Sequence, residues 1–198
     1  MLLRVDADRL RADFDALAAI GATPDGGLER TTFSAAHLAA RAWFLERADA
    51  AGLETRIDGA ANHSAVLPAR DPGAPTLLLG SHLDSVSRGG RFDGALGVVC
   101  ALEVLRAVQD AGLELPVALE AVDFTDEEGT LIGTFGSLAL AGSLTREALV
   151  APRCGRELLV AELARLGLSE DGILAARRDP TSLAGYLEIG RASCRERV

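Results

Sequence analysis

Two apolar runs, each leading into metal-type side chains, flank a stretch with helical spacing, and this alternation limits what the chain can fold into. Residues 76–79 read as a buried strand of a parallel sheet and run into Gly80-Ser81-His82-Leu83-Asp84. Residues 94–112 read as a helix opened by Asp93, within Gly89-Gly90-Arg91-Phe92-Asp93-Gly94. Residues 117–124 read as a second strand, followed by Thr125-Asp126-Glu127-Glu128-Gly129. Strands joined through helices belong to α/β folds, and open α/β sheets place their sites beyond the carboxyl ends of the strands. All the candidate ligands fall at such ends or at the helix start.

The residue types suit a metal. Imidazole and carboxylate together favour zinc or manganese, and no cysteine is required. A carboxylate can bridge two cations about 3.5–4 Å apart, and such a pair polarises a carbonyl and activates water. Asp93 is the natural bridge, because Gly94 beside it permits close backbone approach and Gly89-Gly90 supply a tight turn. Asp84 lies two residues after His82. On an extended segment both side chains share one side, so Asp84 is expected to accept the second imidazole N–H. Of Glu127 and Glu128, one can bind metal while the other takes a proton from water. Each piece has an ordinary alternative: an acidic turn for Glu127-Glu128, a plain turn for Asp93-Gly94. Three such pieces at strand ends and a helix start make the metal reading the stronger one.

These motifs resemble the amidase/hydantoinase/carbamoylase branch of the aminoacylase and carboxypeptidase type metallohydrolases. The likeness runs from about Ala35 to Glu188 and includes Phe135-Gly136-Ser137-Leu138-Ala139-Leu140-Ala141-Gly142. Gly-Gly-Arg-Phe-Asp-Gly is fairly specific for this branch over the peptidases. The resemblance implies a three-layer α/β/α catalytic domain with two divalent cations, zinc or manganese with cobalt as a further option. It implies His82, bridging Asp93 and Glu128 as ligands, with Glu127 as general base. It further implies hydrolysis of non-peptide C–N bonds in N-carbamoyl amino acids or ureido acids such as allantoate, by a homodimer. Two readings compete: an aminoacylase or dipeptidase of the same clan, and a non-catalytic binding protein that has kept the fold. The Gly-Gly-Arg-Phe-Asp-Gly element weighs against the first, the intact ligand set against the second.

The resemblance also implies two further histidines, one from a strand that ends Leu-His-Ile-Glu-Gln-Gly and one from near the family's C-terminus. Here Gly185-Tyr186-Leu187-Glu188 begins that strand and the pattern stops. The ten residues from Ile189 to Val198 match an in-frame translation of a common short-read sequencing adapter. The expectation is therefore a truncated catalytic domain over 1–188 and a non-native tail over 189–198, without activity as it stands.

All twenty basic residues are arginine, and the net charge of −9 argues against a nucleic-acid partner. No apolar stretch is long enough to span a membrane, and the N-terminus lacks a signal-peptide pattern. Cys100, Cys154 and Cys194 have no metal-type spacing, and Cys100 falls in an apolar run that reads as core, so a reducing cytoplasm fits. Helices are expected over 6–20, over 34–52 with Ser34 as N-cap, over 136–141, over 156–166 and around 175–178. Short strands are expected over 53–57 and 64–67. His37 reads as surface or satisfied core, and His63 as a residue just before a strand, with lining of the cleft as its alternative; neither is assigned as a replacement for a missing ligand.

Overall fold

The computed structural model describes residues 3–189. Two N-terminal helices begin at capping side chains, the second of them the Ser34 that the sequence offers as a cap. The Asp6 carboxylate accepts the N–H groups of Asp8 and Arg9 and starts α1 (Ala7–Ala19). The Ser34 side chain accepts the His37 N–H and starts α2 (Ala35–Ala50). Each such cap satisfies helix donors that otherwise lack partners. A hairpin of β1 (Glu54–Ile57) and β2 (His63–Leu67) follows. Then come β3 (Thr76–His82), α3 (Ala95–Asp110) and β4 (Ala118–Phe124). Four shorter helices, α4 (Phe135–Ala141), α5 (Arg146–Val150), α6 (Arg156–Arg165) and α7 (Glu170–Ala175), precede β5 (Leu183–Leu187).

The sheet is mixed, in the order β1-β2-β4-β3-β5. β3 runs parallel to β4 and β5, whereas β2 is antiparallel to both β1 and β4. The three parallel strands therefore end at one edge, in His82, Phe124 and Leu187. Gly80 is what lets β3 and β4 lie so close. Its φ is +142°, and a Cβ there would stand 2.1 Å from the Val122 carbonyl oxygen.

Alternation along the strands sends side chains to two cores. Leu77 and Leu79 of β3, with Leu119 and Ala121 of β4, pack among Phe14, Phe44 and Leu102 of α1, α2 and α3. Leu78, Val122 and Phe124 point the other way, against Leu140 of α4. Beyond them α4, α5, α6 and α7 share a further cluster around Phe135, Leu149, Leu159 and Ile173. Helices cover both faces, which is the α/β/α layering expected. Each fully buried Leu in these clusters contributes roughly 1.5–3 kcal/mol. Charged groups lock the layers as well. Glu103 of α3, 1% exposed, accepts from the Arg9 guanidinium at 2.7 and 2.9 Å and from the Asp6 N–H at 2.8 Å.

Some local expectations shift. β3 runs three residues past the apolar run and takes His82 as its last residue. The helix expected around 175–178 lies earlier, as α7, because Ser169 accepts the Gly172 N–H to start it and a single 3-10 turn at Pro180–Ser182 follows. α5 was not anticipated, and Cys100 is only half-buried. Apart from Ile189, the expected tail lies outside the described residues. Among those described, no helix is long and apolar enough to cross a membrane.

Candidate metal centre

The carboxyl edge of the parallel strands carries the candidate ligands. One ligand atom from each of His82, Asp93 and Glu128 falls within 4.8 Å of the others. His82 closes β3, Asp93 precedes α3, and Glu127 and Glu128 occupy the loop after β4. The His82 ring is held from one side: its Nδ1 lies 2.9 Å from the Asp84 carbonyl oxygen. Nδ1 is thereby the donor, which leaves Nε2, 3.5 Å from Glu127 Oε2, as the nitrogen that can face a cation once its proton is given up.

Asp84 plays a broader part than the one expected. Its carboxylate lies 3.6 Å from His82 Nδ1, so the short contact to the imidazole is made by the main chain instead. The carboxylate accepts the Glu127 N–H at 3.3 Å and the Glu128 N–H at 3.2 Å. Asp126, at φ +54°, does the same for the next stretch of loop. Its carboxylate accepts the N–H groups of Leu131, Ile132 and Gly133 at 3.0, 2.7 and 2.9 Å. Two buried carboxylates thus shape the loop that presents Glu127 and Glu128.

The electrostatics favour a cation. Burial and the nearby Asp93, Glu127 and Asp84 carboxylates raise the Glu128 pKa, against the opposing charge of His82. Burial alone would lower the His82 pKa, but Asp84 and Glu127 push it up to about 9. Burial alone would raise Asp84, yet its contacts with His82 hold it below the usual carboxylate range. An imidazole and two carboxylates converge on one point among surplus negative charge, and this donor set fits a divalent cation. Beside Glu127 opens a cavity of about 480 Å³ lined by Leu78, Phe124, Leu140, Leu183 and Glu188.

His37 and His63 stay out of the centre. His37 is buried and its Nδ1 accepts the Phe33 N–H at 2.9 Å, while His63 Nδ1 pairs with the Ala61 carbonyl at 2.9 Å. The groups that sequence reasoning missed are Arg41 and Asp123. Arg41 of α2 donates to the Asp123 carboxylate at 2.8 Å and to Thr125 Oγ1 at 2.8 Å, and Asp123 accepts the Leu83 N–H at 2.7 Å. The signal was an aspartate inside the apolar run Ala121-Val122-Asp123-Phe124.

The fold and the motifs have counterparts of known structure. A crystal structure of a hydantoinase/carbamoylase family amidase from Burkholderia ambifaria is 34% identical, with a TM-score of 0.83 over 94% of this chain and 45% of that one. Over nearly its whole length the chain is similar to the hydantoinase/carbamoylase amidases. Another member, from Burkholderia phymatum, is 32% identical with a TM-score of 0.83 over 99% of this chain and 48% of that one. An N-carbamoyl-L-amino acid amidohydrolase of Geobacillus stearothermophilus is 35% identical over 93% of this chain and 46% of its own length. Allantoate deiminase 2 of Glycine max is 34% identical over 83% of this chain and 35% of its own length. The chain thus spans less than half the length of these relatives. Residues 62–150 also match the family model described as Peptidase family M28.

The closest packing at the centre is at Gly94. Its φ is +64°, and a Cβ there would stand 2.5 Å from His82 Cε1 and 2.4 Å from the His82 carbonyl oxygen. Gly94→Ala is expected to displace the imidazole and lower cation affinity about 10–100-fold, the range seen when ligand-orienting groups are lost. Titration calorimetry of the variant checks this, and an unchanged affinity would mean that the ring yields without cost.

Proposed function

We propose that this chain is part of a metal-dependent amidohydrolase that cleaves a non-peptide C–N bond in N-carbamoyl amino acids or in ureido acids such as allantoate. The observation that carries the reading is the convergence of His82, Asp93 and Glu128 at the carboxyl edge of the sheet. The names of relatives 34–35% identical to the chain supply the substrate class. In this reading His82, Asp93 and Glu128 would help to hold two divalent cations, zinc or manganese with cobalt as a further option. Bound there, the cations would polarise the substrate carbonyl and ease loss of a proton from water. Glu127, outside the ligand cluster but 3.5 Å from His82, accepts that proton and returns it to the departing nitrogen. Asp84 keeps Glu127 and Glu128 in register through their N–H groups.

The reading extends to the parts not described. In this reading residues 1–188 form one side of a catalytic domain, and 189–198 are a non-native tail. The intact enzyme is a cytoplasmic homodimer acting on a small molecule. The match of 62–150 to Peptidase family M28 favours a second reading, cleavage of a dipeptide or N-acyl amino acid. Side-by-side assay of N-carbamoyl, ureido and N-acyl substrates decides between them, in a chain extended beyond Glu188 with the corresponding half of a carbamoylase relative.

The metal reading is tested on the chain itself. Calorimetric titration with zinc or manganese is expected to show weak binding that disappears in His82→Ala and in Asp93→Ala. Equal binding by both variants would remove the assignment.

A further inference from the structure

The segment 30–32 lies ahead of the residues matched by the family model, and neither the motifs nor the proposed mechanism gives it a task. It runs between the two loops that carry the candidate ligands. On one side it is stitched to the loop after β3: the Arg30 N–H donates to Ser85 Oγ at 3.0 Å, and the Ser85 N–H donates to the Arg30 carbonyl at 3.0 Å. On the other it meets the loop after β4, where the Thr32 N–H donates to Thr130 Oγ1 at 3.3 Å. The Thr32 hydroxyl sits between the two loop-shaping carboxylates. It lies 2.8 Å from Asp126 Oδ1 and 3.1 Å from Asp84 Oδ2.

All three groups are buried: Thr32 is 6% exposed, and Asp84 and Asp126 are at 0%. A hydroxyl carries one proton, and a carboxylate can only accept. The single Thr32 proton is therefore shared between two buried acids that would otherwise repel each other in a medium of low dielectric. Asp84 is the group that holds the Glu127 and Glu128 main chain, and Asp126 holds 131–133.

We propose that Thr32 is a positioning residue of the metal centre: its hydroxyl fixes the Asp84 and Asp126 carboxylates relative to each other and so sets where Glu127 and Glu128 stand. The proposal rests on the metal reading given above. It separates from a purely structural role by what each leaves intact. A structural role costs folding stability alone, whereas a positioning role costs cation affinity in a chain that is still folded.

The test uses the 198-residue chain with Thr32→Val, which keeps the shape and removes the hydroxyl, and Thr32→Ser, which keeps the hydroxyl. Zinc titration by calorimetry is read beside thermal unfolding of the metal-free protein. Thr32→Val is expected to lose about 10–100-fold in zinc affinity, as outer-shell partners of a metal site typically do. Thr32→Ser is expected to restore the parent value. If Thr32→Val does not fold, Thr32→Ala, which leaves room for water, carries the same expectation at the lower end of that range. Parent-like affinity in a folded variant without the hydroxyl, while His82→Ala abolishes binding, overturns the proposal and leaves the metal reading standing. Absence of zinc binding by the parent chain removes both.

Discussion

Glu127→Gln, in a chain extended beyond Glu188 by the matching half of a carbamoylase relative, is expected to bind cations as the parent does and lose turnover about 10²–10⁴-fold. Glutamine keeps the size of the side chain and its contact with the cleft, but it cannot take up a proton at pH 7. Glu127 stands outside the three-residue cluster, and its side chain is 40% exposed, as a group that meets both water and substrate must be. Glu128→Gln is expected to behave in the opposite way. It removes a charged ligand from the cluster, so bound metal falls first and turnover follows. Metal content by atomic spectroscopy, set beside steady-state rates, separates the two outcomes. Reversed phenotypes would exchange the roles given to the pair.

Arg41→Met is expected to cost about 3–5 kcal/mol of stability, because it leaves the Asp123 carboxylate charged and buried without its partner. Both side chains of this pair are essentially sealed from water, at 2% and 0% exposure. Burial raises the Asp123 pKa and Arg41 opposes that rise, so loss of the guanidinium pushes the carboxyl toward protonation. Through Asp123 the change also reaches the Leu83 N–H, one residue from His82. For a chain of this size the loss corresponds to a fall in melting temperature of about 6–20 °C, read by circular dichroism. Arg41→Met combined with Asp123→Asn is expected to recover part of the loss, since the orphaned charge is gone. A melting temperature unmoved by Arg41→Met would mean that water reaches Asp123.

The sequence was legible where a local signal decides the outcome. Ser34 announces its helix because a cap acts within three residues. The apolar runs announce β3 and β4, and the motif residues at their ends do converge. The antiparallel placement of β2 beside β4 could not be read, because strand order is set by packing between distant segments. α5 escaped, and α7 was expected too late in the chain, because five and six residues are too few to show a helical period, although Thr145 and Ser169 are ordinary caps. The buried polar groups were the least visible. Arg41, Thr32 and Asp126 look in sequence like solvated residues, yet Arg41 meets Asp123 and Thr125, and Thr32 meets Asp84 and Asp126, across tens of residues of chain. Asp84 shows the same limit: its spacing from His82 was plain, but its bonds to Glu127 and Glu128 depend on how two loops meet.

The cavity beside Glu127 and the ligand cluster are built from different material. Leu78, Phe124, Leu140 and Leu183 wall the cavity from β3, β4, α4 and β5, whereas the loop bearing Glu127 and Glu128 takes its shape from main-chain amides bound to Asp84 and Asp126. Exchanging one apolar wall residue for a larger or smaller one alters the space offered to a substrate without touching a group that fixes the ligands. In the proposed reading, selectivity and chemistry would be separately heritable: ordinary core substitutions would retune what enters the cavity while the ligand cluster passes on unaltered.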